Sequence, residues 1–223
     1  MAGPSAAPSR YRDGARLIAP IAVAAAAFGA SFGILSGAAG FDVVAAVVMS
    51  ATTFAGSAQF AVVSTLDSGG AVAAAIVAAI LLNARYAPIS VSVAPYFSGS
   101  RPRRLLESQL IVDESWVISR RQDGRFDRRI LVGAGLVLYV AWVGSTVVGA
   151  VAGEAIADPA TLGLDAAFPA LFLALLVPQL LSRRALAAAV LAAVIALALI
   201  PFTPAGVPII VASTACLLGW RRE

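Results

Sequence analysis

From Leu17 to Gly40, from Val43 to Leu66 and from Ile130 to Ala152 the chain carries no charged residue. A hydrocarbon core of about 30 Å needs roughly 20 helical residues at a rise of about 1.5 Å, so each run is long enough to cross a bilayer. In hydrocarbon the backbone must satisfy its own hydrogen bonds, which an α-helix does within one segment. The expected fold is therefore all-α, a polytopic integral membrane helical bundle. Composition agrees: 60% of residues are hydrophobic and 13% charged, the charges gathered in short segments between apolar runs. A chain of 223 residues supplies six to eight crossings and one membrane domain.

The net charge of +4 does not point to nucleic acid, because nearly every arginine stands at the end of an apolar run, where cytoplasmic loops carry them. Histidine is absent and Cys216 is the single cysteine. That excludes disulfide frameworks, zinc sites and a histidine proton relay, and leaves carboxylates as the only proton carriers. No metal, cofactor or enzyme activity is expected, since no nucleophile stands with a base and no acids pair within a span. Residues 1–16 read as a disordered cytoplasmic tail ending in Arg10, Arg12 and Arg16, and residues 17–223 as one transmembrane transporter domain. The run from Leu17 is too long for a signal-peptide core and reads as the first membrane helix.

The segment Phe54–Phe60, FAGSAQF, places Gly56, Ser57 and Gln59 in the middle of an apolar run. Polar groups at that depth are functional candidates. On a continuous helix Ser50, Thr53, Ser57 and Ser64 share one stripe, and Gln59 lies with Thr52 and Gly56 on another. Two polar faces require either protein on all sides or a break near Gly56 that lets both sets converge. The span from Ala71 to Ala94 contains Asn83, Arg85 and Pro88. Pro88 removes a backbone hydrogen bond and crowds the Ala84 carbonyl, so a fixed cation stands at a helix break.

The segment 101–129 holds eight arginines and an amphipathic stretch, Leu105–Ser119. Read as one helix, it puts Asp113 on the apolar face with Leu106, Leu110 and Val117, and Glu114 on the polar face with Glu107, Arg103 and Arg121. Asp113 is then the inward acid able to bind a proton or an ammonium, and Glu114 a solvated partner of arginine. Ile130–Ala152 has a Gly149/Gly153 pair suited to helix contact. The loop Glu154–Asp165 is acidic, three shorter runs follow, and Trp220 with Arg221 and Arg222 forms a terminal anchor. Counting crossings from both ends gives seven or eight membrane segments, with at least one broken or re-entrant helix in the first half. No sequence repeat relates the halves.

Together FAGSAQF, LLNARY at Leu81–Tyr86, VAPYF at Val93–Phe97, VDES at Val112–Ser115 and LDAAFPALFLALLVPQL at Leu164–Leu180 resemble the AzlC family, the large subunit of branched-chain amino acid exporters. The resemblance runs from about Ile21 to Arg184. It implies a secondary exporter of neutral amino acids such as valine, leucine, isoleucine or methionine, in the bacterial cytoplasmic membrane, acting with a small AzlD-type membrane subunit. The family's usual Arg-His dipeptide stands here as Arg85-Tyr86. The residues fit that chemistry. Arg85 or free amides near Gly56 and Ser57 suit a carboxylate; Gln59, Asn83 and Asp113 suit an ammonium; Asp113 is also the proton-coupling candidate. An exporter of another small solute, or a passive channel, shares these features.

Overall fold

The computed structural model describes residues 9–153, 173, 176–177, 180–203 and 207–215. The acidic loop, most of the span ending at Leu180, Cys216 and the anchor at Trp220 lie outside the described residues. No β-strand occurs among the described residues; the one bridge pairs Arg120 with Phe126.

Two long helices form the spine, α1 (Tyr11–Ala38) and α8 (Arg128–Gly153). They run parallel. Gly14 abuts the backbone of Ile130, Gly29 that of Trp142, and Gly149 that of Ala30, so the two helices stay in register along their length. A Cβ at any of these glycines would strike the facing backbone. Small residues permit this close approach, which is how helices associate where no water is squeezed out. Both helices start at the arginine-rich end of the molecule.

The apolar run Val43–Leu66 is not one helix. It divides into α2 (Val43–Thr53) and α3 (Gly56–Asp67), broken at Phe54 and Ala55. Phe54 adopts the left-handed conformation, φ 41°, and ends α2. Ser50 of α2 meets Thr146, and Phe54, farther along, meets Tyr139, so α2 descends antiparallel to α8. Gly56 then lies against Trp142, and Phe60 packs on Phe32 nearer the end of α1, so α3 climbs back. The pair is a re-entrant hairpin with its tip at mid-length of the spine. The break falls one step earlier than Gly56, and the glycine serves a different need: its Cβ would sit 2.7 Å from the Trp142 ring.

A short turn leads into α4 (Val72–Asn83), which packs against α3 and returns toward mid-depth. There the helix breaks at Ala84 and Arg85 and resumes as α5 (Tyr86–Val93), closed by a 3-10 turn at Ala94–Tyr96. Val93 and Phe97 pack on Leu131, at the start of α8, so this run ends at the arginine-rich side. The stretch Leu105–Ser119 is likewise two helices, α6 (Arg101–Ser108) and α7 (Asp113–Ser119), with an extended residue, Val112, before Asp113. Glu107 binds Arg128, Leu110 faces Gly135, and Asp127 N–H returns to the Ser119 carbonyl. This second hairpin enters from the arginine-rich end and turns at mid-depth.

The two hairpins are inverted counterparts. In each, a long helix (Tyr11–Ala38, or the broken run Val72–Tyr96) is followed by four connecting residues, Ala39–Asp42 or Phe97–Ser100. Each connection turns on a positive-φ glycine, Gly40 or Gly99, and each is followed by a hairpin ending at the molecule's middle. Each tip is braced by its own returning helix: Ala55 N–H donates to Gln59, and Val112 N–H to Ser115. Inverted repeats of this kind need share only backbone topology, which is why residue matching between the halves finds nothing.

Beyond these, α9 (Arg183–Leu199) packs on α10 (Val207–Ala212), which touches α4. Among the described residues three stretches are long and apolar enough to cross a membrane: Tyr11–Ala38, Val72–Tyr96 and Arg128–Gly153. Their outer faces are apolar, with Val23 73% and Val140 63% exposed, whereas Gln59 and Thr146 are fully buried. Polar inside and apolar outside is the pattern of a helical membrane protein.

Candidate functional site

The hairpin tips meet over a cavity of about 180 Å³ at the midpoint of α1. Ile21, Ala24, Ala25 and Phe28 of α1 and Leu138 and Trp142 of α8 form its apolar wall. The first tip contributes Phe54, Gly56 and Ser57, the broken α4–α5 run contributes Arg85 and Tyr86, and the second tip Val112, Asp113 and Glu114. For scale, an apolar cavity of about 150 Å³ accepts a benzene molecule.

Arg85 is the organising charge. Its Nη2 donates to Ser57 Oγ at 3.0 Å and reaches Tyr86 Oη at 3.5 Å, and the guanidinium stands 5.2 Å from the Tyr86 ring centroid. Its Nε lies 3.0 Å from Asp113 Oδ2, but the N–H is not aimed along that line, so the contact is ionic without a hydrogen bond. Each of the two side chains keeps about one third of its surface open, 34% for Arg85 and 35% for Asp113. Such a pair is held by charge and poorly by geometry, and a better-placed carboxylate could replace either contact.

Gln59 sits one layer behind. Its Oε1 accepts from Ala55 N–H at 3.2 Å and from Trp142 Nε1–H at 3.1 Å, and its Nε2 donates to Ser50 Oγ at 2.9 Å. Ser50 Oγ is 2.9 Å from Thr146 Oγ1, which donates to the Trp142 carbonyl. The amide thus joins both arms of the first hairpin to α8 and holds the indole that lines the cavity, and it is not itself on the wall. Asn83 also lies off the wall, its buried Oδ1 without a hydrogen-bond partner among the described residues. Of the six residues singled out in the sequence, Gly56, Ser57, Arg85 and Asp113 come together at the cavity; Gln59 and Asn83 do not.

Both adjacent acids line the cavity, where a single helical wheel turns only Asp113 inward. The wheel fails because α6 ends at Ser108 and the chain is not helical again until Asp113. Asp113 also pairs with Arg85, and Glu114 faces the cavity without pairing with an arginine among the described residues. Glu107 binds Arg103, its neighbour on the wheel, and also Arg128, at the arginine-rich end and away from Glu114. Tyr86 and Trp142 are functional candidates that periodicity does not reveal. The only sign of Tyr86 is its position beside an intramembrane arginine.

The two tips are also tied to each other. Gln109 Nε2 donates to the carbonyls of Thr52 at 2.8 Å and Ala51 at 3.2 Å, and Tyr139 Oη donates to the Ala51 carbonyl at 2.9 Å. The break in the first hairpin leaves those carbonyls without helical partners, and the second hairpin supplies one.

The family model described as AzlC protein matches residues 20–156, more than half of the chain and all of the cavity-lining residues. An uncharacterized membrane protein of Archaeoglobus fulgidus is 32% identical over 223 residues, covering 96% of each chain. An uncharacterized membrane protein of Helicobacter pylori is 23% identical over 154 residues, covering 68% of this chain and 67% of its own. No solved structure matches. With its motifs, its apolar exterior and this family match in agreement, the chain belongs to the AzlC protein family, a membrane protein of a kind that suggests a transporter.

Proposed function

We propose that this protein is a secondary exporter of branched-chain or other large neutral amino acids, valine, leucine, isoleucine or methionine. It works in the cytoplasmic membrane with its arginine-rich end inside, and acts with a small AzlD-type membrane subunit. The observation that carries this reading is the Arg85–Asp113 pair facing the apolar α1 and α8 wall of the cavity. A zwitterion can enter such a pair by exchange. Its carboxylate takes Arg85 and its ammonium takes the freed Asp113, so one ion pair becomes two and the charge of the site does not change. An anion of the same size would take Arg85 and leave the Asp113 carboxylate uncompensated in a low-dielectric site, at a cost of several kcal/mol. The aliphatic side chain would lie against Phe28, Leu138 and Trp142.

Access alternates between the ends through the two hairpins, which close the cavity from opposite sides. Inverted repeats with broken helices at the midplane are how many secondary transporters are built. The test is counterflow of radiolabelled leucine in liposomes holding the full chain, with and without the small subunit. Arg85→Ala and Asp113→Asn should each abolish uptake while leaving the protein folded. Leucine counterflow unchanged in both variants would end this reading of the site.

A further inference from the structure

We infer that Glu114 is the proton-binding group that couples transport to the proton gradient, an inference that rests on the amino acid reading above. The charged and titratable groups lining the cavity are Arg85, Tyr86, Asp113 and Glu114. Three of them are engaged with one another: Arg85 holds Asp113 and contacts Tyr86. Glu114 stands outside that set. Among the described residues its carboxylate enters no ion pair, and the hydrogen bond on it comes from its own backbone N–H. The α1 and α8 faces opposite offer no titratable group, being formed by apolar residues such as Ile21, Phe28, Leu138 and Trp142, and α3 offers Ser57.

The charge balance then defines what Glu114 does. With Glu114 ionised the empty site carries one positive and two negative charges, and the excess charge attracts the ammonium of an arriving zwitterion. A proton on Glu114 removes that attraction. Proton and substrate therefore oppose each other, and by linkage the opposition is mutual: a bound zwitterion lowers the affinity of Glu114 for its proton. That is the thermodynamic requirement of antiport. One proton joins the Glu114 carboxylate as the cavity empties on one side, and leaves to solvent as the next zwitterion binds on the other. Asp113 faces Arg85 or the ammonium throughout.

The test measures L-leucine binding to the purified full chain between pH 5 and 8, together with proton release on leucine addition in weakly buffered solution. The wild type should bind several-fold more weakly at the acid end and release protons on binding. Glu114→Gln should bind with a flat pH profile matching the acidic wild type, and in liposomes it should exchange leucine but fail to accumulate it against a pH gradient. Glu114→Asp should keep the pH slope. Wild-type binding without proton release, or a wild-type slope retained in Glu114→Gln, would overturn the inference and leave the amino acid reading intact. No leucine binding by the wild type at any pH would overturn both.

Discussion

A glutamine amide in hydrocarbon has four hydrogen-bonding positions to fill, and Gln59 fills three inside the protein, on Ala55, Ser50 and Trp142. Its place in the sequence, at the centre of an apolar run, suggests a solute contact; its place in the structure makes it a support. It fixes the indole of Trp142, which is also stacked on Phe32 at 6.4 Å and edge-on to Phe60 at 6.2 Å. Replacing Gln59 with Leu would leave a buried indole N–H, a hydroxyl and a backbone N–H with fewer partners. The expected loss of stability is about 1–3 kcal/mol, read as a lower thermal unfolding temperature in micelles, with substrate affinity falling through the displaced Trp142. Ser57, by contrast, is legible from both views: a hydroxyl one residue into a helix at mid-depth, bonded to the site's arginine.

At the scale of elements, the arginine-rich end shows how a short helix is anchored without a core. The outer leucines of α6, Leu105 and Leu106, are each 74% exposed, yet Glu107 is buried between Arg103 and Arg128. Burial alone would raise the Glu107 carboxyl; the hydrogen bonds from Arg128 and Arg103 outweigh it and hold the group below its ordinary value of 4.5. A carboxylate depressed in this way stabilises the fold above that ordinary value, and its contribution is lost as pH falls through the lower, folded value. Acid below about pH 4.5 should therefore loosen α6 from α8. Glu107→Gln should reproduce the loosening at neutral pH, costing more than the ~1 kcal/mol of an exposed pair and up to the ~3–5 kcal/mol of a buried one. Hydrogen exchange of the α6 amides as a function of pH checks both. The sequence shows the charges of this segment and the Arg103–Glu107 pair within α6, but a wheel drawn through Ser108–Asp113 misplaces Glu114, because the extended turn resets the helical phase.

For the molecule as a whole, the two hairpin tips are gates only if they can part. Their contact runs through Gln109 and the carbonyls of Ala51 and Thr52. Cysteines at Thr52 and Gln109, in a chain whose single natural cysteine Cys216 is replaced, should be joined by a short thiol cross-linker. Joining them should stop leucine counterflow, and reduction should restore it; counterflow that persists in the cross-linked protein would show that the tips need not separate. Leucine binding should survive the cross-link, since the cavity lies beside the latch and not within it.

The sequence by itself determined that this is a helical membrane protein, because runs without charge as long as a bilayer is thick leave the backbone no other local solution. It also offered a break near Gly56 as one of two ways to shelter two polar faces, and placed a break beside Arg85, where Pro88 removes a backbone donor and crowds the Ala84 carbonyl. Which polar residue faces the cavity was decided only by the tertiary structure. Once a helix breaks, the periodicity on which face assignments depend is lost, so Gln59 turns inward to Trp142 and Glu114 turns toward the cavity. The inverted pairing of the hairpins was decided there too, because it is a relation between backbone paths that side chains need not repeat.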